Sequence, residues 1–110
     1  MNPEATITIP VYNSEKFIPK CLESALSQNT KRNYEVLVIN DGSTDNTGKI
    51  LDEFSRKNKG KLRVIHQKNA GVGITRNRLL EKSRGDVLIT LDSDDYLRVF
   101  YCQDNIIIYM

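Results

Sequence analysis

The stretch Tyr34-Glu35-Val36-Leu37-Val38-Ile39-Asn40-Asp41-Gly42-Ser43-Thr44-Asp45 decides the fold. Residues 34–40 form a nearly unbroken apolar run rich in β-branched side chains, the pattern of a strand buried on both faces, as in parallel sheets. Residues 41–45 are turn formers and helix N-cap residues. Beyond them Thr47, Ile50, Leu51 and Phe54 recur at helical spacing and mark one apolar face. Strand, polar turn and amphipathic helix therefore follow one another within about two dozen residues.

The same unit repeats on both sides. Toward the N-terminus, residues 5–9 read as a strand that stops at Pro10, which cannot donate to a ladder. A turn through Tyr12, Asn13 and Ser14 leads to a helix carrying Ile18, Cys21, Leu22, Ala25 and Leu26 on one stripe and ending near Gln28, with Pro19 tolerated near its start. Toward the C-terminus, the basic loop 56–61 reads as a solvated turn before a third strand, residues 62–66. Residues 67–73 open into a helix from Ile74 to about Ser83, with Gly85 as its C-cap. A fourth strand, residues 87–91, runs directly into Asp92-Ser93-Asp94-Asp95. This alternation predicts an α/β fold, a mainly parallel sheet with helices on both faces. Residues 98–110 have no clear period and read as a divergent tail.

Composition sets the limits. A chain of 110 residues corresponds to one small domain and can build a core without disulfides or structural metal. Sixteen Lys and Arg against fourteen Asp and Glu give +2, too balanced for the electrostatic footprint of a nucleic-acid binder. Two cysteines and one histidine cannot assemble a four-ligand zinc site or a disulfide framework, and no secretory signal or bilayer-length apolar run is visible. A cytoplasmic setting is expected, with membrane association left open for a complete enzyme.

The candidate chemistry collects at strand ends. In open parallel sheets ligands bind beyond the carboxyl edge, and residues 12–13, 41–43, 68–73 and 92–95 each follow a strand. Asp92 and Asp94 alternate along an extended segment, so both carboxylates can face one hard cation such as Mg²⁺ or Mn²⁺. The competing reading makes them turn or cap residues, and the same pair of readings applies to Asp41 and Ser43. Residues 71–76 depart from the dinucleotide fingerprint because Arg76 takes the place of the third glycine, and no Gly-Lys-Ser/Thr loop is present. Arg76 near a helix N-terminus can meet a diphosphate. His66 and Cys21 read as structural.

Ile9-Pro10-Val11-Tyr12-Asn13 with Glu15, residues 38–45, Asn69-Ala70-Gly71-Val72-Gly73 with Arg76-Asn77, and Gly85-Asp86 leading to residues 91–95 together resemble the family 2, GT-A-fold inverting glycosyltransferases over about residues 5–97. The resemblance implies a Rossmann-like half-domain, residues 1–97, that binds a nucleotide-sugar, most often a UDP-sugar, with Mg²⁺ or Mn²⁺. It implies roles for Pro10, Tyr12 and Glu15 in the nucleotide pocket, Asp41 at the base ring, Arg76 near base and diphosphate, Asp92 near ribose and sugar, and Asp94 as metal ligand. The implied reaction is hexosyl transfer to an acceptor hydroxyl on a glycan or lipid-linked glycan, as in polysaccharide biosynthesis, with the general base in an acceptor-binding half beyond this chain. Thr75, where the family commonly has a small residue, and the bulky Arg78 depart from the pattern. From Arg98 onward the match ceases, which suggests a truncation or a shifted reading frame. Two rivals follow: a stand-alone donor-binding module without transfer activity, and a flavodoxin-like domain, which would need acids after strand one where Tyr12 and Asn13 stand.

Overall fold

The computed structural model describes residues 3–28 and 33–93. The expected tail, residues 98–110, lies outside them, as do Asp94 and Asp95. The elements run in the order β1 (Ala5–Val11), α1 (Ile18–Leu26), β2 (Tyr34–Asp41), α2 (Thr47–Lys57), β3 (Leu62–Gln67), α3 (Val72–Lys82) and β4 (Val87–Thr90). The four strands form one sheet in the order β3-β2-β1-β4, every neighbouring pair parallel. The predicted α/β architecture is the one observed.

Side-chain alternation along the strands builds two layers of core. Ile7 and Ile9 of β1 and Val36 and Val38 of β2 pack with Ile18, Cys21, Leu22 and Ala25 of α1 and Leu51 of α2. Leu37 and Ile39 point the other way and meet Leu79 of α3. Helices therefore cover both faces, and every residue of β2 is buried, as its unbroken apolar run requires.

β1 does not stop at Pro10: it continues through Val11, with Pro10 in register with Ile39 and Val11 with Asn40. The other strands end within one residue of expectation, while two helix boundaries and one cap differ from it. α1 stops at Leu26, two residues before Gln28, where Ser27 leaves helical geometry at φ −110° and ψ 23° and the Gln28 amide Nε2 donates to Ser24 O at 2.8 Å, satisfying a carbonyl of the last turn. α3 begins at Val72, two residues before Ile74, once Gly71 has taken the positive φ of 98° that turns the chain into the helix. Gly85 is not a helix cap. α3 ends at Lys82, and Gly85 lies against β1, where an added Cβ would fall 2.5 Å from Thr6 N and 2.6 Å from Ala5 Cα. Its glycine is needed for close backbone approach rather than for a left-handed turn.

The edge of the sheet where the strands begin is held by a buried acid that periodicity alone would not place in a core. Glu35 Oε2 accepts from Thr6 Oγ1 at 2.8 Å and from Arg84 N at 2.9 Å, and its Oε1 accepts from Arg63 Nε at 3.2 Å. Thr6 Oγ1 in turn accepts from Gly85 N at 2.8 Å. Burial alone would raise the Glu35 pKa, but these donors and the guanidinium charge outweigh it and hold the carboxyl below its ordinary value.

Candidate functional site

At the opposite edge, where the strands end, the connecting loops enclose a cleft of about 560 Å³. Its lining comes from the end of β1 and the following loop, Asp41 at the end of β2, the segment after β3, and Asp92 and Ser93 after β4. Its rim includes Tyr12, Phe17 and Val72, all half exposed or more. A flat ring can lie on such a rim without displacing any core residue.

The loop after β1 is locked to the loop after β2. Asn13 adopts the left-handed region at φ 45°, and its Oδ1 accepts from Thr44 N at 2.7 Å. Asn13 N donates to Ser43 Oγ at 2.9 Å, and Ser14 N donates to Thr47 Oγ1 at 2.9 Å. Ser43 is itself fixed by Asn40, whose Oδ1 accepts from Ser43 N at 3.2 Å and Ser43 Oγ at 2.5 Å. That leaves Asn40 Nδ2 facing His66 Nδ1 at 3.0 Å, so the other ring nitrogen, 2.8 Å from Asp52 Oδ1, carries the proton. His66 is a satisfied structural residue, as its place in the sequence suggests. Asp45 Oδ1 accepts from Thr47 N at 2.9 Å and so satisfies the first backbone N–H of α2, whose N-cap residue is Asn46.

Asp41 lies on the cleft floor with 5% of its surface exposed. Its Oδ1 accepts from Ala70 N at 2.7 Å and Gln67 Nε2 at 2.9 Å, and its Oδ2 accepts from Gly71 N at 3.0 Å. Burial would push this carboxyl up, yet the bonds from Gln67, Ala70, Gly71 and Thr75 prevail and its pKa is lowered. A buried anion so held is an acceptor without a proton of its own to give. Asn69 completes the hold by donating from Nδ2 to Asp41 O at 2.9 Å. Gly42 follows with φ 72°, and a Cβ there would meet Asn69 N at 2.6 Å.

Of the residues singled out by sequence, Pro10, Tyr12, Asp41 and Asp92 line this one cleft. Glu15 and Arg76 are not among the lining residues. Glu15 N donates to Asp45 Oδ2 at 3.4 Å, and Arg76 Nη2 lies 3.4 Å from Asp92 Oδ1. Arg76 and Asp92 are each about half exposed, and a pair this exposed is weakly bound. Both ends remain available to a ligand. Asp94 lies outside the described residues, and among those residues no group of three or more His, Cys, Asp or Glu could hold a metal ion. Asp92, half exposed beside the cleft, presents carboxylate oxygens that can accept from hydroxyl groups. Sequence reasoning passed over Gln67, an uncharged residue whose importance comes from being the register partner of Asp41 across β2 and β3.

The family model "Glycosyl transferase family 2" matches residues 6–99. The chain belongs to glycosyltransferase family 2. Among family relatives, glycosyltransferase GlyA of Streptococcus pneumoniae is 39% identical over 103 residues, covering 94% of this chain and 14% of GlyA. Chondroitin synthase of Escherichia coli is 45% identical over 95 residues, covering 86% of this chain and 14% of the synthase. The crystal structure of S. aureus TarS 1-349 in complex with UDP-GlcNAc superposes with a TM-score of 0.74 at 35% identity, covering 86% of this chain and 27% of that chain. This glycosyltransferase family 2 chain thus spans less than a third of the length of each. Among its described residues no helix is long and apolar enough to cross a membrane.

Proposed function

We propose that this chain binds a nucleoside diphosphate sugar, a UDP-sugar in the first place, and forms the donor-binding part of a longer glycosyltransferase, residues 1–97 constituting that unit. The observation that carries the reading is Asp41, a buried carboxylate kept ionised by three hydrogen bonds at the floor of a cleft rimmed by Tyr12. TarS, with UDP-GlcNAc bound, shares this fold at 35% identity and supports the choice of ligand. In this reading Pro10 and Tyr12 flank the base and Asp41 accepts from its ring. Glu15 braces the pocket from the loop behind, Arg76 approaches the diphosphate, and Asp92 takes the ribose or sugar hydroxyls.

Asp94, with phosphate oxygens, would hold Mg²⁺ or Mn²⁺. Such an ion, when bound, offsets the charge that develops on a departing diphosphate. Asp41 and Asp92 are committed to the donor, so the carboxylate that takes the acceptor's proton must come from elsewhere in the full-length enzyme. The acceptor is proposed to be a glycan or lipid-linked glycan hydroxyl.

Isothermal titration of the chain with UDP, GDP and ADP, with and without Mn²⁺, tests the proposal. UDP should bind most tightly, and a chelator should weaken it. Equal binding of all three nucleotides, or none, would overturn the reading.

A further inference from the structure

Ser14 reads in the sequence as one member of the turn after β1, yet its polar atoms join three parts of the molecule. Its N donates to Thr47 Oγ1 at the start of α2 at 2.9 Å, and its O accepts from Phe17 N at 3.0 Å and Ile18 N at 2.8 Å, where α1 begins. Its hydroxyl lies 3.0 Å from Tyr12 O and 2.8 Å from Ser93 Oγ. The residue is 7% exposed. A serine hydroxyl has one proton to give, and a carbonyl can only accept. The Ser14 proton therefore goes to Tyr12 O, and Ser93 is the donor in the second bond.

The chain Ser93 to Ser14 to Tyr12 links two walls of the cleft, since all three residues line it and Asp92 lines it beside Ser93. The sheet holds the chain after β4 as far as Leu91, whose N donates to Thr8 O at 2.9 Å and whose side chain is buried. Beyond that point Asp92 O faces Cys21 Sγ at 3.7 Å, a weak donor, and the Asp92 carboxylate meets Arg76 in the exposed pair described above. Neither contact is strong enough to set the course of the chain. The 2.8 Å bond from Ser93 to the buried Ser14 is.

Resting on the nucleotide-sugar reading above, we infer that Ser14 is a positioning residue for the donor: its hydroxyl is a strut that holds Ser93, and with it the adjoining Asp92 carboxylate, at a set distance from Tyr12. In that reading Tyr12 flanks the base and Asp92 takes hydroxyls further along the donor. The strut then fixes the span that a nucleotide-sugar must fit. Groups that meet a ligand must be held to within about 0.5 Å by neighbours whose own rotamers are locked, and Ser14 is locked by its place between α1, α2 and the end of β1. It acts through Asp92 rather than on the ligand itself.

The test titrates the 110-residue chain with UDP-GlcNAc and with UDP in Mn²⁺, comparing the unmodified protein with Ser14→Ala, Ser93→Ala, Ser93→Thr, Asp92→Ala and the double variant of Ser14→Ala with Asp92→Ala. Ser14→Ala keeps the backbone bonds and removes the hydroxyl alone. It is expected to weaken UDP-GlcNAc about three- to tenfold, the worth of one hydrogen bond, and UDP by less. Ser93→Ala should reproduce both changes, and Ser93→Thr, which keeps the donor, should stay within about twofold of the unmodified chain. In the Asp92→Ala background, Ser14→Ala should alter affinity by less than about twofold, because the group it positions is gone. A hydroxyl that serves the turn alone would weaken the two ligands alike, and as much in that background as in the parent. Either result in folded variants overturns the inference and leaves the functional reading standing. If Ser14→Ala does not fold, the less buried Ser93 carries the comparison, as Ser93→Ala alone and combined with Asp92→Ala. Failure of the unmodified chain to bind either nucleotide overturns the functional reading, and this inference with it.

Discussion

A single carboxylate sets the character of the cleft, and what surrounds Asp41 makes its replacement informative. Asp41→Ala removes the acceptor of Ala70 N, Gly71 N and Gln67 Nε2 together with the carboxylate proposed to meet the base. A hydrogen bond to a charged group is worth about 1.5–3 kcal/mol, so UDP affinity should fall by roughly 10- to 100-fold and the preference over ADP should vanish. Titration calorimetry on a variant with an intact circular dichroism spectrum checks this. Asp94→Ala should abolish the effect of Mn²⁺ on UDP binding, while Asp92→Ala should leave that effect in place and weaken a UDP-sugar more than UDP. Binding of UDP that ignores both a chelator and Asp94→Ala would assign the acidic triplet to turn formation. A second buried acid, Glu35, governs stability. Its folded pKa lies below its unfolded value, so its contribution is present above the ordinary carboxylate range, about pH 4.3 for glutamate, and is lost as pH falls through the lower folded value. Melting temperature should therefore decline on acidification from neutral pH, and Glu35→Gln should flatten that slope while lowering the plateau, as thermal denaturation followed across pH would show.

At the scale of elements, periodicity made the strands and helices legible because each buries one face or two, and that demand is written in residue spacing. Partnership across elements was not legible. Nothing in the run Leu62–Gln67 announces that Gln67 pairs in register with Asp41, or His66 with Asn40, because register belongs to two strands at once. The misreading of Gly85 has the same origin. Its place after an apolar helix stripe suggested a cap, whereas the constraint is the backbone of β1, some eighty residues earlier in the chain. The cleft carboxylates were visible as residue types at strand ends, yet their donors came from loops whose course no local pattern fixes. Gly85→Ala makes the point measurable. The added methyl has no room beside Ala5 and Thr6, so overpacking should cost about 1–3 kcal/mol and lower the melting temperature by roughly 4–24 °C. Gly60→Asn offers the contrast, since a Cβ there meets nothing within 4 Å and Asn tolerates the φ of 88° better than most residues. Its melting temperature should move by far less, as calorimetry on the two variants would establish.

Across the whole molecule the sheet is asymmetric in what it leaves uncovered. Among the described residues β4 is the short edge strand, Val87 and Leu88 are 49% and 40% exposed, and Leu80 on the preceding helix α3 is 56% exposed. An apolar edge of this kind templates pairing with another chain. The chain should self-associate with concentration, and Leu88→Lys should suppress this without altering the fold, an outcome sedimentation velocity can verify. The position of β1 has another consequence. It lies in the middle of the sheet, bonded on one side to β2 and on the other to β4, and Leu91 N reaches back to Thr8 O. Of the four strands of this sheet, the first to be synthesised is therefore among the last to be completed. At synthesis rates of about 5–20 residues per second, the side of β1 that receives β4 waits roughly 4–16 s for a partner more than eighty residues downstream. During that interval Ala5–Val11, apolar and half-paired, is open to any extended segment nearby, and the nascent chain is most in need of a chaperone's cover before Val87 emerges.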